Sequence, residues 1–133
     1  MTASPQTAGP GPGFASKPEH AITLEREGKR VSVVFNGETI AETTEAITLR
    51  EANYPPVYYL PRDAVRAEVL TRTDHGTHCP FKGDAAYWTI EVGDKASENA
   101  VWSYEIPFDE VAEIKDHIAF YADRMDAIDV TDA

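Results

Sequence analysis

From His20 onward, apolar and polar residues alternate with a period of two. Ile22 and Leu24 alternate with Thr23 and Glu25, and Arg30–Phe35 sets Val31, Val33 and Phe35 on one face. Asn36-Gly37 follows. Both residues tolerate positive φ, so the pair predicts a type I′ hairpin turn with a return strand over 38–42. Residues 45–50 alternate again, with Ile47 and Leu49 inward. Tyr54-Pro55-Pro56 interrupts the pattern: two prolines remove two donors and fix two φ angles, which predicts a rigid extended bend. A short strand over 57–60 carries Tyr58 and Tyr59.

Residues 61–70 predict a single helix, with Pro61 near its first turn, Asp63 suited to the positive end of the dipole, and Ala64, Val65, Glu68 and Val69 on a helical face. The polar stretch 71–77 reads as a loop. Residues 85–92 read as a strand with Trp88, Ile90 and Val92 on one face, and Gly93-Asp94 as a turn. In the next strand, over 99–106, Trp102, Tyr104 and Ile106 share a face. Asp109 is expected to cap a short helix over 110–114. Strands over 118–122 and 127–130 complete the chain. About nine strands recurring every 8–12 residues or so, with two short helices, define a mainly β class built of curved antiparallel sheets or a partial barrel. No β-α-β rhythm and no internal repeat is present, which argues against a doubly wound nucleotide-binding fold.

Composition divides the chain in two. Residues 1–18 are dominated by proline, glycine, alanine, serine and threonine, with Phe14 the only large apolar side chain after Met1. Such a segment buries too little surface to offset its ordering entropy and reads as a disordered tail. Residues 19–133 then form one β-rich domain, a normal size for a single core. Asp and Glu number 23 against 12 Lys and Arg, for a net charge of -11. That charge repels phosphate backbones and anionic lipid, so neither nucleic acid nor a membrane surface is the expected partner. Cys79 is the only cysteine, so no internal disulfide supports the fold. A lone thiol and a first segment without a signal-peptide core predict a cytoplasmic protein, a monomer or weak homo-oligomer.

Three clusters combine aromatic rings with a charged or nucleophilic group at a turn-to-strand junction, where sites tend to lie. They are Glu51 with Tyr54, Pro55, Pro56, Tyr58 and Tyr59; Thr77-His78-Cys79-Pro80 with Lys82, Gly83, Tyr87 and Trp88; and Trp102-Ser103-Tyr104 with Pro107. Lys82 lies between a proline bend and a glycine, where an ammonium and turned backbone amides can hold a carboxylate or phosphate. Glu51 is either its ion-pair partner, tying two loops together, or a general acid/base. Lys82-Gly83 is too little for a phosphate loop, which needs an upstream glycine and a following Ser or Thr; Asp84 follows instead. Cys79 reads first as a buried, inert thiol and second as a nucleophile. Its neighbour His78 points to the opposite face of a strand, which leaves His75 and Lys82 better placed to activate it. Asp74, His75, His78 and Cys79 crowd one loop too tightly for tetrahedral zinc, so no metal or other cofactor is expected. His20 and His117 are isolated and read as structural or surface residues. Tyr54, Tyr58, Tyr59, Tyr87, Trp88, Trp102 and Tyr104 are core material first. Strand alternation turns some of them away from the rest, toward a cleft with tyrosine hydroxyls on its wall.

These residues resemble a bacterial family, domain of unknown function 427. The likeness runs through Val34-Phe35-Asn36-Gly37, Arg50-Glu51 with Tyr54-Pro55-Pro56-Val57-Tyr58-Tyr59, and Thr77-His78-Cys79-Pro80-Phe81-Lys82-Gly83-Asp84-Ala85. It continues in Tyr87-Trp88, Glu98-Asn99-Ala100-Val101-Trp102-Ser103-Tyr104 and Ile118-Ala119-Phe120-Tyr121, spanning about His20 to Val130. The resemblance implies a compact, mostly β, tent-like fold similar to Yippee proteins and methionine sulfoxide reductase B. Zinc in those relatives is held by paired Cys-x-x-Cys motifs; neither pair is present here, so zinc does not carry over. A nucleotidyltransferase label is attached to some of the family, but no paired-Asp motif with a Gly-Ser turn supports it. The expectation is a binder of a small anionic or polar-aromatic molecule, with Tyr54, Tyr58, Lys82, Tyr87, Trp88, Trp102 and Tyr104 at the pocket. An enzyme with Glu51 as acid/base, Lys82 stabilising negative charge and Cys79 as optional nucleophile is the second reading. A protein–protein module using a strand edge or the acidic C-terminal surface is the third.

Overall fold

The computed structural model describes residues 7–133. Among them are ten strands: β1 Ile22–Glu25, β2 Arg30–Phe35, β3 Glu38–Thr43, β4 Ile47–Glu51, β5 Val57–Pro61, β6 Leu70–Cys79, β7 Gly83–Val92, β8 Lys95–Tyr104, β9 His117–Phe120 and β10 Ala127–Thr131. They make a seven-stranded sheet in the order β1-β4-β5-β9-β8-β7-β6 and a three-stranded sheet in the order β10-β2-β3. Every pairing between these strands is antiparallel. The fold is mainly β, and its sheets do not close into a barrel.

The period-two pattern accounts for the faces. Val31, Val33, Phe35 and Ile40 of the small sheet pack against Leu60, Trp88, Ile90, Val101, Ile118 and Phe120 of the large one. The opposite face of the large sheet presents Ile47, Leu49, Tyr59, Tyr87, Tyr104 and Ala119, which pack with Val111 and Ile114. Those last two belong to a 3-10 segment at Asp109–Ile114. The hairpin turn at Asn36-Gly37 has φ of 51° and 78°, the left-handed values its residue types allow. Gly37 N–H is held by Asp126, and the Asn36 amide donates to the Val92 carbonyl.

Several elements differ from the sequence expectation. Residues 61–70 form no continuous helix: two 3-10 turns, Arg62–Ala64 and Ala67–Val69, lead directly into β6. The backbone between them is committed to β3 instead. Val65 bridges Ala41, and Arg66 N–H donates to the Ile40 carbonyl. The polar stretch 71–77 lies within β6 and is not a loop. As the edge strand of the large sheet, β6 is mostly exposed and has no apolar alternation to betray it. Its ladder breaks between Arg72 and Gly76. β8 begins at Lys95 and ends at Tyr104, so Ile106 lies outside it and is 53% exposed. Asp109 opens the following 3-10 segment rather than capping it; the cap position is Phe108.

Part of the proline- and glycine-rich start is packed. A short helix, α1 (Pro12–Ser16), lies on the turn before β7, where Phe14 meets Phe81 edge-on at 5.0 Å. Gly13 is buried there, and its N–H donates to the Pro80 carbonyl. A Cβ on Gly13 would lie 2.8 Å from the Phe81 ring, so the absent side chain is what lets this segment dock. Backbone bonds from Ala8 to Pro107 and from Asp109 to Gly9 extend the contact. The tail reading of residues 1–6 falls outside the described residues. Among the described residues, no helix is long and apolar enough to cross a membrane.

Candidate functional site

The large sheet opens along one seam. β5 and β9 share only the pairs Leu60↔Ile118 and Pro61↔His117. The same register would set Tyr58 against Phe120 and Val57 against Tyr121, but those residues are not paired with each other. Instead β5 follows β4 through Ile47↔Tyr59, Thr48↔Tyr58 and Leu49↔Val57. β9 follows β8 through Val101↔Phe120, Trp102↔Ala119 and Ser103↔Ile118. The strands therefore part, and a cleft of about 660 Å³ lies along the gap. Because it interrupts the sheet, its lining comes from both faces: Leu60, Phe120 and Val33 from one, Val57, Trp102 and Tyr121 from the other. Tyr54, Pro55 and Pro56, in the rigid bend before β5, contribute to the lining.

Among the described residues, two charged side chains line this cleft, Glu51 and Lys82. Glu51 ends β4, and Lys82 sits in the turn between β6 and β7. That turn closes through Gly83, whose φ of 123° is reserved for glycine and whose Cβ would come within 3.3 Å of the Ile106 carbonyl. The Lys82 carbonyl accepts from Phe108 N–H, which fixes the turn from outside. Lys82 Nζ donates to Glu51 Oε1 at 2.8 Å. The other carboxylate oxygen, Oε2, lies 2.7 Å from His20 Nε2. Side-chain exposures are 13% for Glu51, 15% for Lys82 and 18% for His20, so water screens this trio weakly. Burial pushes the Glu51 carboxyl up, but hydrogen bonds from Lys82 and His20, with the positive charge of Lys82, outweigh it. The group is held below its usual range. The His20 ring is itself stacked on Phe81, with centroids 3.9 Å apart and planes 20° apart.

A layer of rings lies behind the ion pair. Trp102 Nε1–H donates to the Tyr59 hydroxyl at 3.2 Å, which spends the one polar atom of that indole and leaves a carbon surface for the cleft. Tyr121 packs on Trp102 with centroids 4.6 Å apart. Burial, then its contact with Tyr87, pushes the Tyr121 phenol up to about 12. Burial likewise pushes Tyr59 and Tyr104 up, with the charge of Glu51 adding to the effect, so both phenols stay neutral through the physiological range.

The structure thus gathers Glu51, Lys82, Tyr54, Tyr58 and Trp102 around one cleft and leaves four expected residues out of its lining. Trp88 is turned to the opposite face by strand parity, since it pairs with Val101 rather than sharing the face of Trp102. It is buried under the guanidinium groups of Arg62 and Arg72. Tyr87 is buried, and its hydroxyl bonds Thr77 Oγ1. Tyr104 is buried in the same cluster, and Cys79 packs against it. His78 pairs with Asp84 at the surface, and His75 lies against Tyr87. Among the described residues, no three His, Cys, Asp or Glu side chains gather as metal ligands. Two contributors escaped the sequence reading. His20 looked isolated, and Tyr121 stood in Ile118-Ala119-Phe120-Tyr121 with no chemistry attached.

Fold and site together define a small antiparallel β domain with a cleft at a parted sheet seam, closed on one side by a shielded Lys–Glu pair. The family described as Domain of unknown function (DUF427) matches residues 23–131, and the chain belongs to that family. No curated protein matches the chain.

Proposed function

We propose that the protein binds a small molecule with a flat aromatic body and an anionic or polar head in the cleft between β5 and β9. One observation carries this reading. Among the described residues, the only charged groups in the lining form a single pair, and everything else there is aromatic, aliphatic or proline. A cleft of this size, largely apolar with a few convergent polar groups, is the usual form of a small-molecule site. Trp102, Tyr121 and Phe120 supply faces for a ring. Lys82 spends one N–H on Glu51, which leaves ammonium hydrogens for a head group.

The acid/base reading of Glu51 is the weaker one. A carboxylate held below its usual range is a poor base at neutral pH, and both of its oxygens already accept bonds. The same geometry suits Glu51 to holding Lys82 in place. A single thiol, Cys79, outside any disulfide fits binding in the reducing cytoplasm.

The test is a titration of the 15N-labelled full chain with 2-naphthoate and its neutral analogue 2-naphthamide. Saturable shifts are expected at the Trp102 indole and along Val57–Pro61. Lys82→Met should weaken 2-naphthoate at least about tenfold, the size of one lost charge-assisted bond. Shifts that do not saturate, or that fall outside the cleft, would sink the proposal.

A further inference from the structure

Resting on the binding reading above, we infer that His20 makes the cleft a proton-coupled site for a singly charged aromatic anion. The anion docks at Lys82 while the imidazole behind Glu51 takes up a proton. Charge counting carries the inference. Glu51 and Lys82 cancel, so the shielded end of the cleft is neutral while His20 is neutral. An anion beside Lys82 leaves one negative charge in excess in a place that water screens poorly, and uncompensated buried charge is costly. A group that gains positive charge close by restores the balance. His20 is the side chain there whose ordinary titration lies near neutral pH.

Geometry supports the assignment. The ring is held in place: Phe81 stacks on one face and Phe14 braces Phe81, while the backbone N–H of His20 donates to the Lys17 carbonyl and fixes the main chain. With Glu51 ionised, His20 Nε2 carries the hydrogen that bonds Oε2, so the added proton goes from solvent to Nδ1. The other charged or titratable groups around it do not replace it. Lys82, on the turn, is already cationic. Lys17 and Glu19 flank His20 in its own segment. Arg50, beside Glu51 in β4, is turned toward Glu25 and Glu27. Tyr59 and Tyr104, behind Glu51, are kept neutral by burial. Ionising Cys79 would add negative charge, not remove it.

Calorimetry on the full chain in buffers of different ionisation enthalpy counts the protons. At pH 7, 2-naphthoate should take up a substantial fraction of one proton and 2-naphthamide none. Affinity for 2-naphthoate should fall by up to about tenfold per pH unit once the pH exceeds the range in which the imidazole takes up its proton. His20→Gln keeps an N–H for Glu51 but cannot be protonated. It should still bind 2-naphthamide and lose both the proton uptake and the pH dependence. Binding of 2-naphthoate without uptake by the unsubstituted protein overturns the coupling and leaves the cleft reading standing. Uptake that persists in His20→Gln also overturns it. Failure of both compounds to bind overturns the cleft reading itself.

Discussion

Two carboxylates in this domain are each bridged by two bases, one near each tryptophan. Glu105 accepts from Arg72 through both oxygens, at 2.9 Å each, and lies 3.6 Å from Arg62. Both guanidinium groups sit over Trp88, 4.8 and 5.2 Å from the ring centroid. Glu51 is held by Lys82 and His20 beside the cleft that Trp102 lines. The side chains of Arg62 and Arg72 are 47% and 53% exposed, whereas the Glu51 trio is largely shielded. The first cluster therefore roofs a core ring, and solvent takes most of its charge. In the second, charge is kept from solvent beside an open cleft, an arrangement that packing alone does not require. The difference separates two doubly bridged carboxylates, and of the two the shielded one borders the cleft that Trp102 lines.

The sharpest way to break this comparison is to remove the cation from the shielded cluster. Lys82→Met keeps most of the stem and leaves Glu51 with His20 alone. Breaking one partner of a buried pair costs several kcal/mol, and the residual exposure here brings the expected loss to about 2 kcal/mol. Urea unfolding measures it. The pH dependence has a definite sign. Glu51 is depressed in the folded state, so its stabilisation is complete above the unfolded value near 4.5 and is lost as pH falls through the lower folded value. Lys82→Met should flatten that acid-side loss. A variant as stable as the parent at pH 7 would show that the pair contributes no more than a surface one.

Ser103 sharpens the contrast from the other face. It shares a strand face with Val101, is fully buried, and among the described residues its hydroxyl has no hydrogen-bond partner. An unsatisfied buried hydroxyl costs about 1 kcal/mol or more. Ser103→Ala should therefore raise stability by about 1 kcal/mol while leaving cleft binding of 2-naphthoate unchanged. A destabilised variant would mean the hydroxyl is satisfied.

The parts legible in sequence are those set by local pattern. Alternation marked β1, β2, β4, β7 and β8, the Asn36-Gly37 turn marked β3 as a return strand, and the proline bend marked the start of β5, because local pattern and turn chemistry are written in each segment's own residues. β6 was hidden, since an edge strand with polar side chains on both faces writes none. The helix expected over 61–70 fitted a helical face, yet pairing of Val65 and Arg66 with β3 outweighed it. Glu51 and Lys82 drew notice through charge at turn junctions. His20 did not, because its meeting with Glu51 depends on β1 pairing with β4 in a register that sets Ile22 against Glu51. The cleft has no local signature at all. It exists because β5 and β9 share two residue pairs and then part, and that is decided by what each strand does on its other edge. Parity separates Trp88 from Trp102 within each strand, but that Trp102 and not Trp88 borders the cleft follows only from that parting.

The smallest expected effect tests the exposed cluster, and its value lies in the salt dependence. A hydrogen bond from Arg72 is the main reason the Glu105 carboxyl is held below its usual range, and nearby charge on Arg62 adds to it. A low carboxyl pKa can arise beside an exposed guanidinium without much net stability, because water and mobile ions already serve both charges in the unfolded chain. Arg72→Ala should therefore cost about 0.5 kcal/mol at about 0.1 M salt, part of it lost packing of the Arg72 guanidinium on Trp88. At about 1 M salt, where the screening length shrinks to about 3 Å, the electrostatic part should vanish and only the packing part remain. Lys82→Met, measured beside it, should keep most of its cost at both salt concentrations, because ions do not enter a cluster shielded by Phe81, His20 and the β6–β7 turn. Equal costs with equal salt responses would make the two carboxylates equivalent. Burial of Glu51 would then no longer set the cleft apart from the rest of the surface.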